Sequence, residues 1–421
     1  MILVIIFEEI KEGKKMEKIK NRIITLSGEP VSGKGTVAKE IVKELLEQGY
    51  KPENIHMEST GVEFRRYFNS IIDLIRNFNS EEKNEILKRP EIQELFEKEE
   101  YRKIMSKAMA TLMQNGTDLS HFTIEDANNN EAFYEVRQVV DTIIDEGMKK
   151  LGIEINKEEH PDEVWIIDSR LAFANIPDSF AVRLTTNPKV AGKRLFEDKT
   201  RGNEDKYSSV EEAVEEREER RIGEIERYKE IYGIDITDEN NYDLIIDTSY
   251  SSPESIAHIV MECSDRYQDG EEYAKHWASP EIFVPLQREM DTLGPASYTF
   301  EEMVESIKTN GYFPDNSIEV VNVDGVNYII EGHHRNFGAA YVGEELVPYE
   351  VIAKDDEQIP WYSNTARQRA DSARMGNLYG HEGFLDNLER KITGDPKASF
   401  SYAKIYPELV KRLREKQEIE R

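Results

Sequence analysis

Residues Gly28 to Thr36 read GEPVSGKGT, and their types and spacing suit the holding of phosphate. Glycines at 28 and 33 let backbone N–H groups turn inward, Lys34 can reach β- and γ-phosphates, and a following helix would add the partial positive charge of its N-terminus. Gly35 stands where the general phosphate-loop pattern has Ser or Thr, so the hydroxyl expected near a magnesium ion is that of Thr36. Ser32, Gly33, Lys34, Gly35 and Thr36 are therefore read, with Gly28, as contacts to a nucleotide. A bare strand-to-helix turn is the competing reading, and it leaves Lys34 without a purpose. Far downstream a second glycine-and-basic turn, IIEGHHRNFGAA, places Gly332, His333, His334 and Arg335 between an apolar run and a short helical pattern. That arrangement suits phosphate or pyrophosphate, with Glu331 as the nearest carboxylate that could act as a base. A purely structural turn and a metal site compete with it. A metal needs at least three ligands, whereas neighbouring histidines in extended chain point to opposite sides.

The first motif needs a strand before it and a helix after it, and the sequence supplies both. RIITLSG reads as a short buried strand running into the glycine turn. Beyond it Val37, Ile41 and Leu45 form one helical stripe, flanked by Ala38, Val42 and Leu46, up to Gly49. Polar helical sequence follows from Phe68 to about Asp118 and on toward Gly152. VWIID (Val164 to Asp168), FAVRLTT (Phe180 to Thr186) and YDLIID (Tyr242 to Asp247) are short apolar runs separated by helical stretches. They predict an α/β, doubly wound parallel sheet with helices on both faces. After a helix through ESIAHIVMECSDRY the pattern changes: SIEVVNVDGVNYIIEGHH is strand, Asp-Gly turn and strand, followed by a short helix and a further strand, a smaller α+β unit. The expected organisation is a non-native or disordered extension over 1–15, with Met16 as the natural start, a phosphate-loop domain over 16–262, a linker over 263–278, the α+β domain over 279–360 and a helical tail over 361–421.

A chain of 421 residues is long enough for two or three cores. Its formal net charge of −29 disfavours broad contact with a nucleic-acid backbone but leaves room for a small anion held by a local basic cluster. The single cysteine, Cys263, excludes an intramolecular disulfide and fits a reducing cytoplasm. The N-terminal run ILVIIF is too short for a signal peptide, and no segment reaches membrane-spanning length.

The segment from about Arg22 to Ser252 resembles the cytidylate kinase family, especially its short archaeal and Gram-positive members. The residues that carry the resemblance are GKGT, the run STGVEFRRY with Ser59, Gly61, Phe64 and Arg65, the strand VWIIDSRLAF with Asp168 and Arg170, and RYKEIYGID with YDLIIDTS. The resemblance implies ATP and magnesium as cofactors, with Asp168 and Thr36 near the metal, directly or through water. It further implies Ser59, Gly61, Arg65 and Arg170 on the acceptor, and Arg194, Arg220 and Arg227 in a closing lid. Two anions must meet in such a site, and arginines neutralise them bidentately. CMP or dCMP is the default acceptor. The family usually has Arg-Glu early in the lid helix, where this chain shows Arg220-Arg221, and the helical insertion between Arg66 and Val136 is longer than in compact members.

From about Ser279 to Lys354 the chain resembles the ParB/sulfiredoxin superfamily, and its Gly-His-His-Arg turn is similar to that of free-serine kinases. This implies a second nucleotide site, for CTP or for ADP and ATP. The sequence thus predicts a nucleoside monophosphate kinase joined to a nucleotide- or phosphate-binding domain. A kinase of a small hydroxyl compound such as serine and a regulatory nucleotide-binding protein remain as rivals.

Overall fold

A computed structural model of the chain describes residues 21–128, 130–198, 207–286, 300–312, 316–323 and 325–355, with isolated positions 357, 367, 368 and 371. The expected extension over 1–15 lies outside these residues, as does the expected helical tail apart from those isolated positions. The first part contains β1 (Arg22–Gly28), α1 (Lys34–Glu47), β2 (Ile55–Ser59), α2 (Thr60–Arg76), α3 (Lys83–Ile86), α4 (Pro90–Glu97), α5 (Glu99–Gln114), α6 (Ile124–Asn128) and α7 (Tyr134–Ile155). Then come β3 (Val164–Asp168), α8 (Ala172–Asn175), β4 (Phe180–Thr185), α9 (Pro188–Glu197), α10 (Val210–Tyr232), β5 (Leu244–Asp247) and α11 (Pro253–Asp269). The last part has β6 (His276–Ala278), β7 (Val284–Pro285), α12 (Phe300–Asn310), β8 (Ile318–Val323), β9 (Val326–Glu331), α13 (His333–Val342) and β10 (Val347–Lys354).

An apolar run becomes a central strand when both of its faces are covered. β1 is the clearest case: Ile24 and Leu26 turn to one face and Ile23 to the other, all of them buried. It pairs in parallel with β3 on one side and β4 on the other. Val37, Ile41 and Leu45 of α1 and Ile256 and Val260 of α11 cover one face. Met148 and Ile155 of α7, with Ala172 of α8 and Ile176 just after it, cover Ile23, Trp165 and Ile167 on the other. The sheet is therefore α/β with helices on both faces, as the sequence predicts. β2 was not anticipated. Its five residues, IHMES, alternate weakly and sit at the edge beside β3, so they carry neither the apolar run nor the clean period that marks a strand.

The insertion is polar on its outside but not within. Phe68 and Ile71 of α2, Ile92 and Leu95 of α4, Met105 and Leu112 of α5 and Val136 and Val140 of α7 make a core of their own.

The stretch 263–278, expected as a linker, is largely ordered structure. α11 runs to Asp269 with Cys263 and Ser264 buried, and β6 places Trp277 in the core. β6 pairs in parallel with β5 and antiparallel with β10. One mostly parallel ten-stranded sheet results, in the order β2-β3-β1-β4-β5-β6-β10-β8-β9-β7. The α+β unit is thus joined edge to edge with the first part. Its hairpin of β8 and β9 and the following α13 fall where the sequence places them.

Candidate phosphoryl-transfer site

β1 delivers the loop at its C-terminal end, where ligands of open α/β sheets bind. The loop is tight. A Cβ on Gly28 would lie 2.4 Å from the Leu184 carbonyl oxygen of β4 and 2.9 Å from Ser32 Oγ, so glycine is required there. Gly33 takes φ 88° as the residue before α1, and Val31 takes φ 64°, a conformation that a β-branched side chain adopts only under constraint. Lys34 folds back over the loop and donates to the carbonyls of Gly28 at 3.1 Å and Glu29 at 3.4 Å. Burial, and next the Arg170 guanidinium, bring its ammonium down to about 8, against the opposing pull of Asp168 and Glu224.

Asp168 ends β3, directly opposite Ser59 at the end of β2. Ser59 Oγ donates to Asp168 Oδ2 at 3.2 Å, and a Cβ on Gly35 would come within 3.6 Å of that same oxygen. The carboxylate therefore stands at the first turn of α1, one residue from the exposed hydroxyl-bearing Thr36. A glycine loop that leads into the N-terminal end of α1, with Lys34 beside it, fits a nucleotide's phosphates. One carboxylate and one hydroxyl beside them fit a magnesium ion that keeps most of its ligands as water and phosphate. No cluster of three or more His, Cys, Asp or Glu side chains that could hold a metal occurs among the described residues.

The arginines divide into three kinds. Arg170, two residues beyond Asp168, ion-pairs with Glu224 of α10 at 2.8 Å, while its Nε is buried with no acceptor. Arg65 on α2 is exposed, close to Gly61, and makes no ion pair among the described residues. Arg220 is mostly exposed and rests on Glu224 at 3.1 Å. These three have donors to spare. Arg227 is instead clamped by Asp141 of α7 at 2.9 Å and by Tyr228 Oη at 3.2 Å. Arg194 is engaged through both terminal nitrogens: it donates to the hydroxyls of Thr186 and Thr248 and to the carbonyls of Thr248 and Ser249. Thr248 in turn donates to the Ser32 carbonyl at 3.1 Å, so Arg194 braces the loop from behind.

Three participants were missed in the sequence. Glu29 faces α10 and β4, Arg217 of α10 is fully buried against it, and Asp141 anchors the far end of α10. An Arg-Glu dipeptide, Arg217-Glu218, stands one turn before Arg220-Arg221 on α10. Burial pushes the Asp141 carboxyl up to about 6, with Arg227 opposing and Asp145 reinforcing the shift.

No family model matches the chain. Over 126 residues it is 29% identical to a cytidylate kinase of Methanocella arvoryzae, a match covering 30% of this chain and 64% of the relative. Over 111 residues it is 34% identical to a cytidylate kinase of Natronomonas pharaonis, covering 26% of the chain and 54% of the relative. The chain carries a cytidylate kinase-like region. It is also 28% identical over 184 residues to an S-adenosylmethionine-dependent nucleotide dehydratase of Lacinutrix mariniflava, covering 43% of the chain and 34% of the relative. Each match spans less than two thirds of the relative's own length. The two cytidylate kinase likenesses, not the dehydratase's, point to a nucleotide kinase-type phosphotransferase at the level of the region, which leaves its acceptor open.

The second basic turn is less open than its sequence suggests. Gly332 takes φ 96° ahead of α13, and a Cβ there would meet Arg335 Nη2 and Ile318 Cδ1 at 3.1 Å. His333 is only 3% exposed, and its Nε2 accepts the Leu286 N–H at 3.1 Å, so it ties α13 to the chain after β7. Arg335 donates to the Ser317 carbonyl at 3.0 Å. Glu331 is exposed at the end of β9, opposite Glu319. His334 is half-buried. Among the described residues no helix is long and apolar enough to cross a membrane.

Proposed function

We propose that the N-terminal region transfers the γ-phosphoryl group of ATP to a nucleoside monophosphate, CMP or dCMP by default. The observation that carries this reading is the buried Arg170 Nε without an acceptor, two residues beyond the strand end that presents Asp168 to the Lys34 loop. Lys34 and the first-turn amides of α1 hold the donor phosphates. Arg170, with Arg65 from α2 and Arg220 from α10, lowers the repulsion between the donor and an incoming acceptor phosphate. Asp168 and Thr36 would hold magnesium, which neutralises charge on the phosphates when bound. In the transfer an acceptor phosphate oxygen forms a bond to the γ-phosphorus while the bond to the β,γ-bridging oxygen breaks, leaving ADP. Arg227 and Arg194 act on α10 and on the loop rather than on the reacting atoms.

Support for the acceptor class comes from the cytidylate kinase relatives, which match over part of their length. The C-terminal α+β unit is read as ParB/sulfiredoxin-like, with a second phosphate or nucleotide site at Gly332, His334 and Arg335. His333 serves there as a structural member. The direct test is ADP release with ATP, magnesium and a panel of monophosphates, for the wild type and for Lys34→Ala. The variant is expected to bind donor phosphate more weakly by roughly 1.5–3 kcal/mol and to lose turnover. Undiminished ADP release by Lys34→Ala would remove this loop from the chemistry.

A further inference from the structure

Glu29 is an odd residue for a loop that holds anions, since its carboxylate repels the phosphates that Lys34 attracts. The structure gives it another partner. Its Oε2 pairs with Arg217 Nη2, and its Oε1 lies 4.0 Å from Arg183 Nη2 on β4. The Arg217 side chain is 0% exposed, and its other two nitrogens are also engaged. Nε reaches the Pro30 carbonyl at 3.4 Å and Nη1 the Glu218 carboxylate at 3.0 Å. Glu218 also accepts from Arg221, so charges alternate from β4 through the loop into the helix. The two loop residues that Arg217 touches directly precede Val31, the loop's left-handed β-branched residue. Such strain persists only where surrounding contacts over-determine it.

Arg217, Arg220, Glu224 and Arg227 recur at helical spacing along α10 and share one face. The C-terminal end of that face is fixed by Asp141, its middle by Arg170, and its N-terminal end by Glu29. We propose that Glu29 and Arg217 are a positioning pair that sets α10 in register with the phosphate loop, coupling loop geometry to the placement of Arg220 and Glu224. This rests on the phosphoryl-transfer reading for its effect on rate, while its effect on α10 stands apart from that reading.

The test compares wild type, the isosteric Glu29→Gln, Arg217→Lys, Arg217→Met and the Glu29→Gln/Arg217→Met double variant. It uses steady-state turnover, calorimetric binding of magnesium-ATP, and hydrogen exchange of residues 210–232 with and without magnesium-ATP. For Glu29→Gln a kcat loss of roughly 10- to 100-fold is expected, with ATP affinity within about 2-fold of wild type, because a misplacement of about an ångström has that consequence. Exchange in 210–232 should rise while that of the insertion helices stays unchanged. Arg217→Lys should fall between wild type and Arg217→Met, and the double variant should be no worse than Arg217→Met alone. Unchanged kcat with unchanged exchange in 210–232 would overturn the proposal. So would an ATP affinity that falls in step with kcat, or faster exchange throughout the protein, which would mark a merely structural pair. If the wild type turns over no nucleotide, the kinase reading fails and the exchange of 210–232 in the unliganded variants still decides the pair.

Discussion

The Lys34 ammonium, brought down to about 8 by burial and by Arg170, is partly neutral at pH 8 and regains its proton when an anionic phosphate arrives beside it. Calorimetry of ATP binding at pH 8, in buffers of different ionisation enthalpy, should therefore show uptake of about half a proton, vanishing at pH 6 and in Lys34→Met. Arg170 acts later. Arg170→Ala should lower kcat by roughly 10³–10⁵-fold, with a smaller effect on the KM for ATP, if its spare Nε serves the transferring group. Lys34 was brought to the candidate site by the phosphate-loop spacing, and Asp168 and Arg170 by the strand-end motif that resembles the cytidylate kinase family, and the structure does gather the three side by side. Glu29 and Arg217 were not legible. A carboxylate in a phosphate loop looks adverse until its partner is seen, and Arg217 lies in a charge-dense run where i,i+4 pairing explains every residue equally well.

At the scale of the element, α10 is held along one face by Glu29, Arg170 and Asp141, and two predictions belong to its contacts. The Asp141 carboxyl, facing Arg227, Asp145, Arg170 and Glu224, is held up to about 6 chiefly by burial. Because its folded pKa lies above the unfolded value, its stabilising effect is complete below pH 4 and is lost as pH rises through 6. That loss is at most about 3 kcal/mol, and Asp141→Asn should flatten the slope of unfolding free energy over pH 4–6. At the other end of α10 a Cβ on Gly192 of α9 would lie 2.2 Å from Val214 Cγ2 and 3.0 Å from the Val214 backbone. Gly192→Ala should cost about 1–3 kcal/mol in denaturant unfolding and displace the start of α10. Central strands β1, β3, β4 and β5 were readable as apolar runs. The edge strand β2 was not, since IHMES has no clean alternation, and the insertion's helical period, though visible, does not say that its helices pack on one another around a core of their own.

For the whole molecule, the decisive feature is the edge-to-edge join. β6 is three residues long, yet it pairs with β5 on one side and β10 on the other. Glu345, after α13, accepts the backbone N–H of Ser252 at 2.7 Å along with its hydroxyl, and so caps α11 from the second unit. The capped loop includes Thr248 and Ser249, which accept from Arg194, and Thr248 in turn donates to the Ser32 carbonyl of the phosphate loop. Glu345→Ala should cost about 1–2 kcal/mol, read as a lower thermal midpoint of the α11 side of the sheet. The composition change near Gly270 reads as a linker because glycine and acidic residues crowd the helix end. Only pairing partners far away in sequence turn His276–Ala278 into a strand.

The measurement that bears most directly on the central claim is product identification by phosphorus NMR, with ATP, magnesium and a mixed pool of CMP, dCMP, UMP and L-serine. CDP or dCDP appearing with ADP, and absent with Lys34→Ala, is the predicted result. Phosphoserine formed equally well by Lys34→Ala, or no phosphorylated product from the wild type, would contradict the account and move attention to the Gly332 turn.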